Sequence, residues 1–388
     1  MTDQPAAPGK GARQPPLYRQ VCDAITADIR GRSLPAHTLY LSEAQAMREF
    51  GVSRVTIRQA FRVLEHESLI YRVHGKGTFV APSRADMAKS VAFLATCVLR
   101  SGVETIMLRS VEEYFDSRNV NLVICNHADS FARAERQVRR LASGSVDGVI
   151  YMPVESITEY GRNARVLRSI SAADIPCLLI DRHVPGLAGE FASVRPDNFG
   201  GCKAMTEHLL RLGHRRLAFC GNMGSTAQED RKAGCLSALE AAGLPLALDL
   251  ETLDPTPEDY ARFARALRDA PEPPSAAVCV SDDVAFHLIA ALREAGLAVP
   301  DDIAVVGFDD YSPLGQPCSG LTTVRVGHWE KGRIAAALMV DLLGGASPEP
   351  REYVLPVELV VRESCGSHIL SHRMAAPGEG GRLLRKVP

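Results

Sequence analysis

The sequence predicts an α/β protein made of an N-terminal winged helix-turn-helix and a larger two-lobed body of doubly wound parallel sheets. Three observations carry that expectation. The stretch Gly51–Val80 places an arginine-bearing helix directly before a hairpin tipped with His74-Gly75-Lys76-Gly77. Beyond it the chain changes rhythm, alternating strand and helix with a strand roughly every 25–30 residues, as parallel sheets covered on both faces require. At 388 residues the chain also exceeds the size at which one hydrophobic core keeps growing.

Taken in order, residues 1–16 are rich in Pro, Gly and Ala and are expected to be disordered. Leu17, Val21, Ile25 and Ile29 recur at helical spacing and define a first helix that Gly31 ends. Ser42 and Gln45 form a capping-box pattern, which starts a second short helix running to Phe50. After the turn at Gly51-Val52, Ser53 caps a third helix with Ile57, Ala60, Phe61 and Leu64 on one face. Leu69–Val73 and Thr78–Val80 flank Gly75-Lys76-Gly77 as the arms of a hairpin. The head therefore spans residues 17–81, and 82–90 read as a polar linker.

Within the body, taken as residues 91–365, strands are expected at Val91–Cys97, Leu122–Cys125, Val149–Tyr151, Cys177–Ile180, Leu217–Cys220, Ala276–Val280 and Ile303–Phe308. Helical patterns at Ala132–Leu141, Met205–Leu212, Cys235–Ala242 and Val284–Ala295 separate them. Residues 366–388 return to a Gly/Ser/Arg/Pro composition and read as a disordered tail.

Composition narrows the function classes. Residues 1–81 hold 11 Lys/Arg against 7 Asp/Glu, a balance of +4; of the chain's 44 and 46, that leaves 33 against 39, or −6, for the remainder. A basic head on an acidic body fits nucleic-acid contact confined to the head. The ten cysteines form no CxxC or Cys/His spacing and read as buried reduced thiols. No cofactor or metal is expected. Neither a signal-peptide core nor a run of about 20 apolar residues occurs, so a cytoplasmic location without a membrane partner is expected.

On the third helix, inward packing of the apolar face turns Arg54, Thr56, Arg58 and Gln59 outward. Arginine forks can take guanine O6 and N7 together, and Thr can meet a thymine methyl or a phosphate. Ser53 adds free backbone N–H groups at a helix N-terminus, which favour a phosphate. On the wing, Gly75 and Gly77 permit a tight tip, and His74 and Lys76 are expected against backbone or minor groove. The head resembles the GntR family of bacterial transcription regulators over roughly Leu17–Ala81. Gly51-Val52-Ser53-Arg54-x-Thr56-Ile57-Arg58-Gln59-Ala60 and Gly75-Lys76-Gly77-Thr78-Phe79-Val80 carry the likeness. It implies DNA contact by Arg54, Thr56, Arg58, His74 and Gly75. Where that family usually has Pro-Ser-Glu-Arg, this chain has Leu41-Ser42-Glu43-Ala44, so one arginine contact is missing and a shifted operator preference is expected.

In the body, Asp181-Arg182 follow the strand ending at Ile180, Arg231 is expected to open a helix after the strand ending at Cys220, and Ser281-Asp282-Asp283 end the strand Ala276–Val280. Ligands gather at the carboxyl ends of strands in open parallel sheets. Paired Asp and Arg side chains supply the directional acceptors and donors that a polyhydroxylated sugar or a nucleobase requires. Each residue also has a plainer reading: Asp282 as a helix cap, Arg231 as a surface arginine, Asp181-Arg182 as a local salt bridge.

The body resembles the effector domain of the lactose/galactose repressor family, itself similar to periplasmic sugar-binding proteins, over about Ser90–Ser364. The likeness rests on segments such as Val146-Asp147-Gly148-Val149-Ile150, Leu212-Gly213-His214-Arg215-Arg216, Arg231-x-x-Gly234, Val306-Gly307-Phe308-Asp309-Asp310 and Leu321-Thr322-Thr323-Val324. With the head, the chain is similar to arabinose-repressor-type regulators. The resemblance implies a periplasmic-binding-protein-like fold, a homodimer on palindromic double-stranded operator DNA, and pocket roles for Asp181, Arg231 and Asp282. It also implies repression relieved by a small carbohydrate-like effector; a corepressor, a nucleoside ligand or activation would obey the same thermodynamics.

Near Leu253–Asp259 this chain offers Asp254 and Pro255 where that family often places an aromatic. Arg100 is an unusual residue for the first pocket loop, and Trp329 is expected to pack in a helix. A transport protein would share the body but needs an export signal and has no use for the wing. An enzyme on the same body lacks a nucleophile elbow, P-loop or GxGxxG fingerprint.

Overall fold

A computed structural model of the chain describes residues 15–67, 69–73, 76–81, 88–96, 102–156, 158–222, 224–252, 255–311 and 320–367. It divides into two compact units, residues 1–88 and 89–388.

The head consists of α1 (Leu17–Gly31), α2 (Glu43–Phe50), α3 (Arg54–His66) and the hairpin β1 (Ile70–Val73) with β2 (Gly77–Val80). Both caps expected from sequence are formed. Ser42 and Gln45 make a reciprocal capping box at α2, and Ser53 Oγ accepts from the Thr56 backbone N–H at 3.3 Å. Gly51 closes α2 in the left-handed conformation, φ 62°, which glycine adopts without steric cost. Ile57, Ala60, Phe61 and Leu64 are fully buried against Val21, Ile25 and Ile29 of α1 and Ile70 and Val80 of the wing. The wing is antiparallel, with Val73 opposite Gly77.

Two lobes make up the body, each built on a six-stranded sheet. In chain order its elements are β3 (Lys89–Ala95), α4 (Gly102–Asp116), β4 (Val120–Asn126), α5 (Phe131–Leu141), β5 (Gly148–Tyr151), α6 (Arg162–Ser171), β6 (Cys177–Ile180) and β7 (Ala192–Pro196). Then follow α7 (Asn198–Arg211), β8 (Leu217–Asn222), α8 (Thr226–Ala241), β9 (Leu248–Thr252), α9 (Pro257–Asp269), β10 (Ala276–Cys279), α10 (Asp282–Glu294), β11 (Ala304–Asp309) and β12 (Thr322–Arg325). The chain ends in α11 (His328–Leu343), β13 (Glu352–Leu355), β14 (Glu358–Val360) and a short 3-10 turn at Glu363–Cys365.

The first lobe has strand order β13-β7-β6-β5-β3-β4, all parallel; the second has β14-β12-β11-β10-β8-β9, parallel except for β14 against β12. The chain crosses between lobes three times: after β7, after β12 and between β13 and β14.

Strands β5, β6 and β10 are buried at every position, because helices cover both faces of each sheet. Along β3 the side chains alternate: Ala92 and Leu94 pack under α5 and α6, while Val91, Phe93 and Ala95 pack under α4 and α11. The seven strands read from apolar runs are all present. Five further strands have no long apolar run to mark them: β7, β9, β12, β13 and β14 are three to five residues long and carry polar residues such as Arg195, Asp249, Thr322, Glu352 and Glu358. Two placements differ from expectation. Helix α8 starts at Thr226, so Arg231 lies in its second turn rather than opening it. Trp329 is on α11, as expected, but 40% of it stays exposed.

Candidate functional site

On the head, α3 presents Arg54, Arg58 and Gln59 to solvent, with Thr56 partly covered by its 2.9 Å hydroxyl contact to Ser53. Neither arginine is loose. Arg54 Nε donates to Glu43 at 3.1 Å and Arg58 Nε donates to the same carboxylate at 3.2 Å. Arg72 of the wing approaches it at 3.6 Å while donating to Glu65 at 2.8 Å. Burial works against the Glu43 charge, but the hydrogen bonds from Arg54 and Arg58 outweigh it and hold the carboxyl below its ordinary range.

Glu43 occupies the first position of α2, beside the exposed Ala44. In sequence Glu43 shows only as the residue after the Ser42 cap and as the matching Glu of Leu41-Ser42-Glu43-Ala44, with nothing to reveal its arginine partners. Lys76 is exposed at the wing tip, and Gly77 takes φ 125°, where a β-carbon would meet Leu39. His74 and Gly75 lie outside the described residues, as do Arg100 and Asp254.

The body brings its charged residues together where the carboxyl ends of strands from both lobes meet. Asp181, just past β6, has φ 74° and is ion-paired with Lys331 of α11, a lysine with no exposed surface. Across from them Arg231 donates to Asn198 Oδ1 (2.8 Å), the Val280 carbonyl (2.8 Å) and Asp309 Oδ1 (3.0 Å), with its guanidinium 3.8 Å from the Phe308 ring centroid. Burial opposes ionisation of Asp181, yet Lys331, Arg182 and Arg231 together hold it well below the usual carboxylate range. Asp309 moves the other way: burial pushes it up more than Arg231 and Lys331 pull it down. The two ion pairs therefore influence each other.

His328, at the start of α11, is 6% exposed, and neither ring nitrogen has a hydrogen-bond partner; Nε2 stands 3.9 Å from Asp309 Oδ1. Burial first, then Lys331, keeps the imidazole neutral. Asn198 Nδ2 and Ser225 Oγ are likewise buried and unpartnered. Orphaned buried polar atoms of this kind are rare and mark places where a ligand can complete the bonding.

The lobes touch around this cluster. Thr226 Oγ1 donates to the His183 carbonyl at 2.8 Å, and the Ser156 N–H donates to the Gly224 carbonyl at 2.8 Å. Of the sequence-selected residues, Asp181 and Arg231 belong to the cluster. Arg182 turns aside to the Pro153 carbonyl (2.7 Å) and Glu155 (2.5 Å). Asp282 is 1% exposed; it accepts from Thr323 Oγ1 at 2.5 Å and from the Tyr311 N–H at 2.7 Å. Ser281, not Asp282, caps α10. Lys331, Asp309 and His328 were not singled out from sequence.

An arginine-bearing reading helix with a wing, joined to a two-lobed body with charged groups converging between its lobes, defines a transcription regulator of separate DNA-reading and sensing parts. Comparison with known proteins makes this specific. Residues 17–80 match the gntR family of bacterial regulatory proteins, and residues 206–365 match the periplasmic binding protein-like domain. The chain is 28% identical over 358 residues to the arabinose metabolism transcriptional repressor of Geobacillus stearothermophilus, covering 90% of this chain and 97% of the relative. Against the same-named repressor of Halalkalibacterium halodurans it is 26% identical, covering 81% and 86%.

Among solved structures, the transcriptional regulator CelR in complex with cellobiose aligns with a TM-score of 0.64 at 26% identity, over 81% of this chain and 91% of that one. The transcription regulator GntR from Chromobacterium violaceum gives 0.61 at 26%, over 71% and 99%. The chain thus joins a gntR-type helix-turn-helix domain to a periplasmic-binding-protein-like domain and is similar along most of its length to arabinose metabolism transcriptional repressors.

Proposed function

We propose that the chain is a cytoplasmic, non-enzymatic transcription repressor, a homodimer whose hold on operator DNA is released by a small carbohydrate-like effector bound between the lobes. The observation that carries the effector site is the Asp181–Lys331 and Arg231–Asp309 pairs, with the His328 ring nitrogens and Asn198 Nδ2 buried beside them without a hydrogen-bond partner. Cations and carboxylates balance within the two pairs, which suits an uncharged polyol offering hydroxyls as donors and acceptors together. The similarity to arabinose repressors and to a cellobiose-bound regulator supports a sugar.

In this reading Asp181 and Arg231 contact the effector, Arg182 braces the site through Glu155, and Asp282 positions Tyr311. Ser53, Arg54, Thr56, Arg58 and Lys76, with His74 and Gly75, contact DNA, Glu43 aiming the arginines.

A thermal-shift screen of sugars, sugar phosphates and nucleosides tests the ligand class, since a ligand that binds only the folded protein raises Tm. The expected hit is a neutral sugar that also lowers affinity for operator DNA. Stabilisation by sugar phosphates or nucleosides alone would overturn the carbohydrate reading.

A further inference from the structure

Helices α5 and α6, which cover one face of the first lobe's sheet, carry a charge pattern that neither site uses. Their sequences, FARAERQVRRL and RNARVLRSIS, hold seven arginines against one glutamate. Arg162 is accounted for: it pairs with Glu135 at 3.1 Å and Glu159 at 3.0 Å and lies over the Phe131 ring. The other six, Arg133, Arg136, Arg139, Arg140, Arg165 and Arg168, are exposed, and none makes an ion pair with a described residue. The pattern is segregated. Residues 82–388 balance at −6, so without the +6 of these two helices the remainder stands at −12. On the opposite face of the same sheet, α4 (GVETIMLRSVEEYFD) has one arginine against four carboxylates.

Placement adds to the charge. A helix joining parallel strands runs back along the sheet, so the C-terminal ends of α5 and α6 lie at the edge where β3 begins. The bonds agree: just beyond α5, the Asp147 N–H donates to the Ser90 carbonyl at 2.7 Å and Asp147 Oδ2 accepts from the Ser90 N–H at 2.8 Å. Arg139, Arg140 and Arg168 therefore sit at the edge by which the chain enters the body from the head.

We propose that the α5–α6 face is a second, sequence-independent DNA contact, taking the phosphate backbone of duplex flanking the head's site. Guanidinium forks match phosphate oxygens better than ammonium groups do, and this face is all arginine. The row Arg133, Arg136, Arg140 runs about 10 Å along α5, a length over which duplex DNA presents about six phosphate charges. Duplex bound by the head is, moreover, tethered to the body by the covalent chain between them. A weak contact then acts at a high effective concentration, which an acidic protein recruited from solution would not enjoy.

The test uses the full chain and measures DNA affinity against salt on random-sequence duplexes of about 15 and about 60 base pairs. One variant carries Arg133→Gln, Arg136→Gln and Arg140→Gln; a second carries Arg165→Gln and Arg168→Gln; a third replaces the first three arginines with lysine. Circular dichroism melting checks that each folds. On the long duplex the first variant should bind about tenfold more weakly at 0.1 M salt. Its slope of log affinity against log salt should fall by about 2–3, because each phosphate contact contributes about 0.9.

The second variant should shift in the same direction, lysine should restore most of the slope, and the short duplex should show no difference. An unchanged slope on the long duplex, or equal loss on both lengths, would overturn the proposal. So would loss of binding to polyglutamate with DNA binding intact, which would assign the face to an acidic protein instead. Arg58→Ala should weaken specific binding while leaving the long-minus-short difference in place, so failure of the head reading is distinguishable from failure of this one.

Discussion

At the scale of single residues, the charged groups of both candidate sites are held in internal pairs. Glu43 pairs with both Arg54 and Arg58 on the exposed face of α3, and in the proposed function a guanine edge or a phosphate replaces it. Arg58→Ala should weaken specific binding by roughly 1–3 kcal/mol, read by titration against the preferred operator and a scrambled one. Equal operator binding by mutant and parent would remove Arg58 from the reading helix.

In the cleft, Arg231→Ala should abolish the effector response while operator affinity stays within a few fold; a variant that still responds would sink the pocket assignment. Lys331→Met leaves Asp181 without its main partner and should cost about 3–5 kcal/mol, toward the lower end because Asp181 keeps 18% of its side chain exposed. The pH dependence follows from the lowered Asp181 pKa. A carboxylate held below its unfolded value stabilises the fold above about pH 4, and that contribution is lost as pH falls through the folded value. Melting temperature against pH should therefore show an acid limb that shrinks in Lys331→Met.

At the scale of elements, the caps and close approaches that shape the sites are those the sequence spells most clearly. Ser53→Ala removes the hydroxyl that accepts from Thr56 and should cost about 1 kcal/mol in the head, measured by denaturant unfolding. Gly234 explains its own place three residues after Arg231. A β-carbon there would stand 2.2 Å from the Phe199 carbonyl, so Gly234→Ala must push α8 off α7 and tilt Arg231 away from Asn198. It should cost about 1–3 kcal/mol and impair the effector response together with stability.

The legible features, such as Ser42 with Gln45 or the wholly apolar β5, β6 and β10, are local patterns whose physics lies within a few residues. The features that were not legible depend on distant partners. Nothing in GHWEKGR announces that Lys331 will be fully buried, because lysine is normally exposed and only Asp181, 150 positions earlier, makes its burial tolerable. The roles of Asp309 and Glu43 are hidden for the same reason: only the folded chain shows that Asp309 meets Arg231 and that Glu43 meets Arg54 and Arg58.

At the scale of the whole molecule, sensing and reading have to be coupled through free energy. If the effector weakens operator binding by some factor, operator DNA must weaken effector binding by the same factor. Titrating effector in the presence and absence of saturating operator should return two affinities whose ratio equals the ratio of operator affinities with and without effector; unequal ratios would mean that the protein titrated is not one two-state population. The same linkage predicts that effector at about 100 times its Kd adds about 2.7 kcal/mol to the stability of the body. The melting transition of the head should not follow if the two units unfold separately.

Three separate strands of chain join the two lobes. Parallel tethers of that kind act as a door hung on three pins: they leave swinging open and shut as the easy motion and resist twist or slide. Three crossings therefore favour opening and closing over twist or slide between the lobes. Exchanging residues along the gap can then change which compound is sensed without changing the movement delivered to the rest of the protein. That separation lets a regulator of this build take on a new signal while keeping its old output.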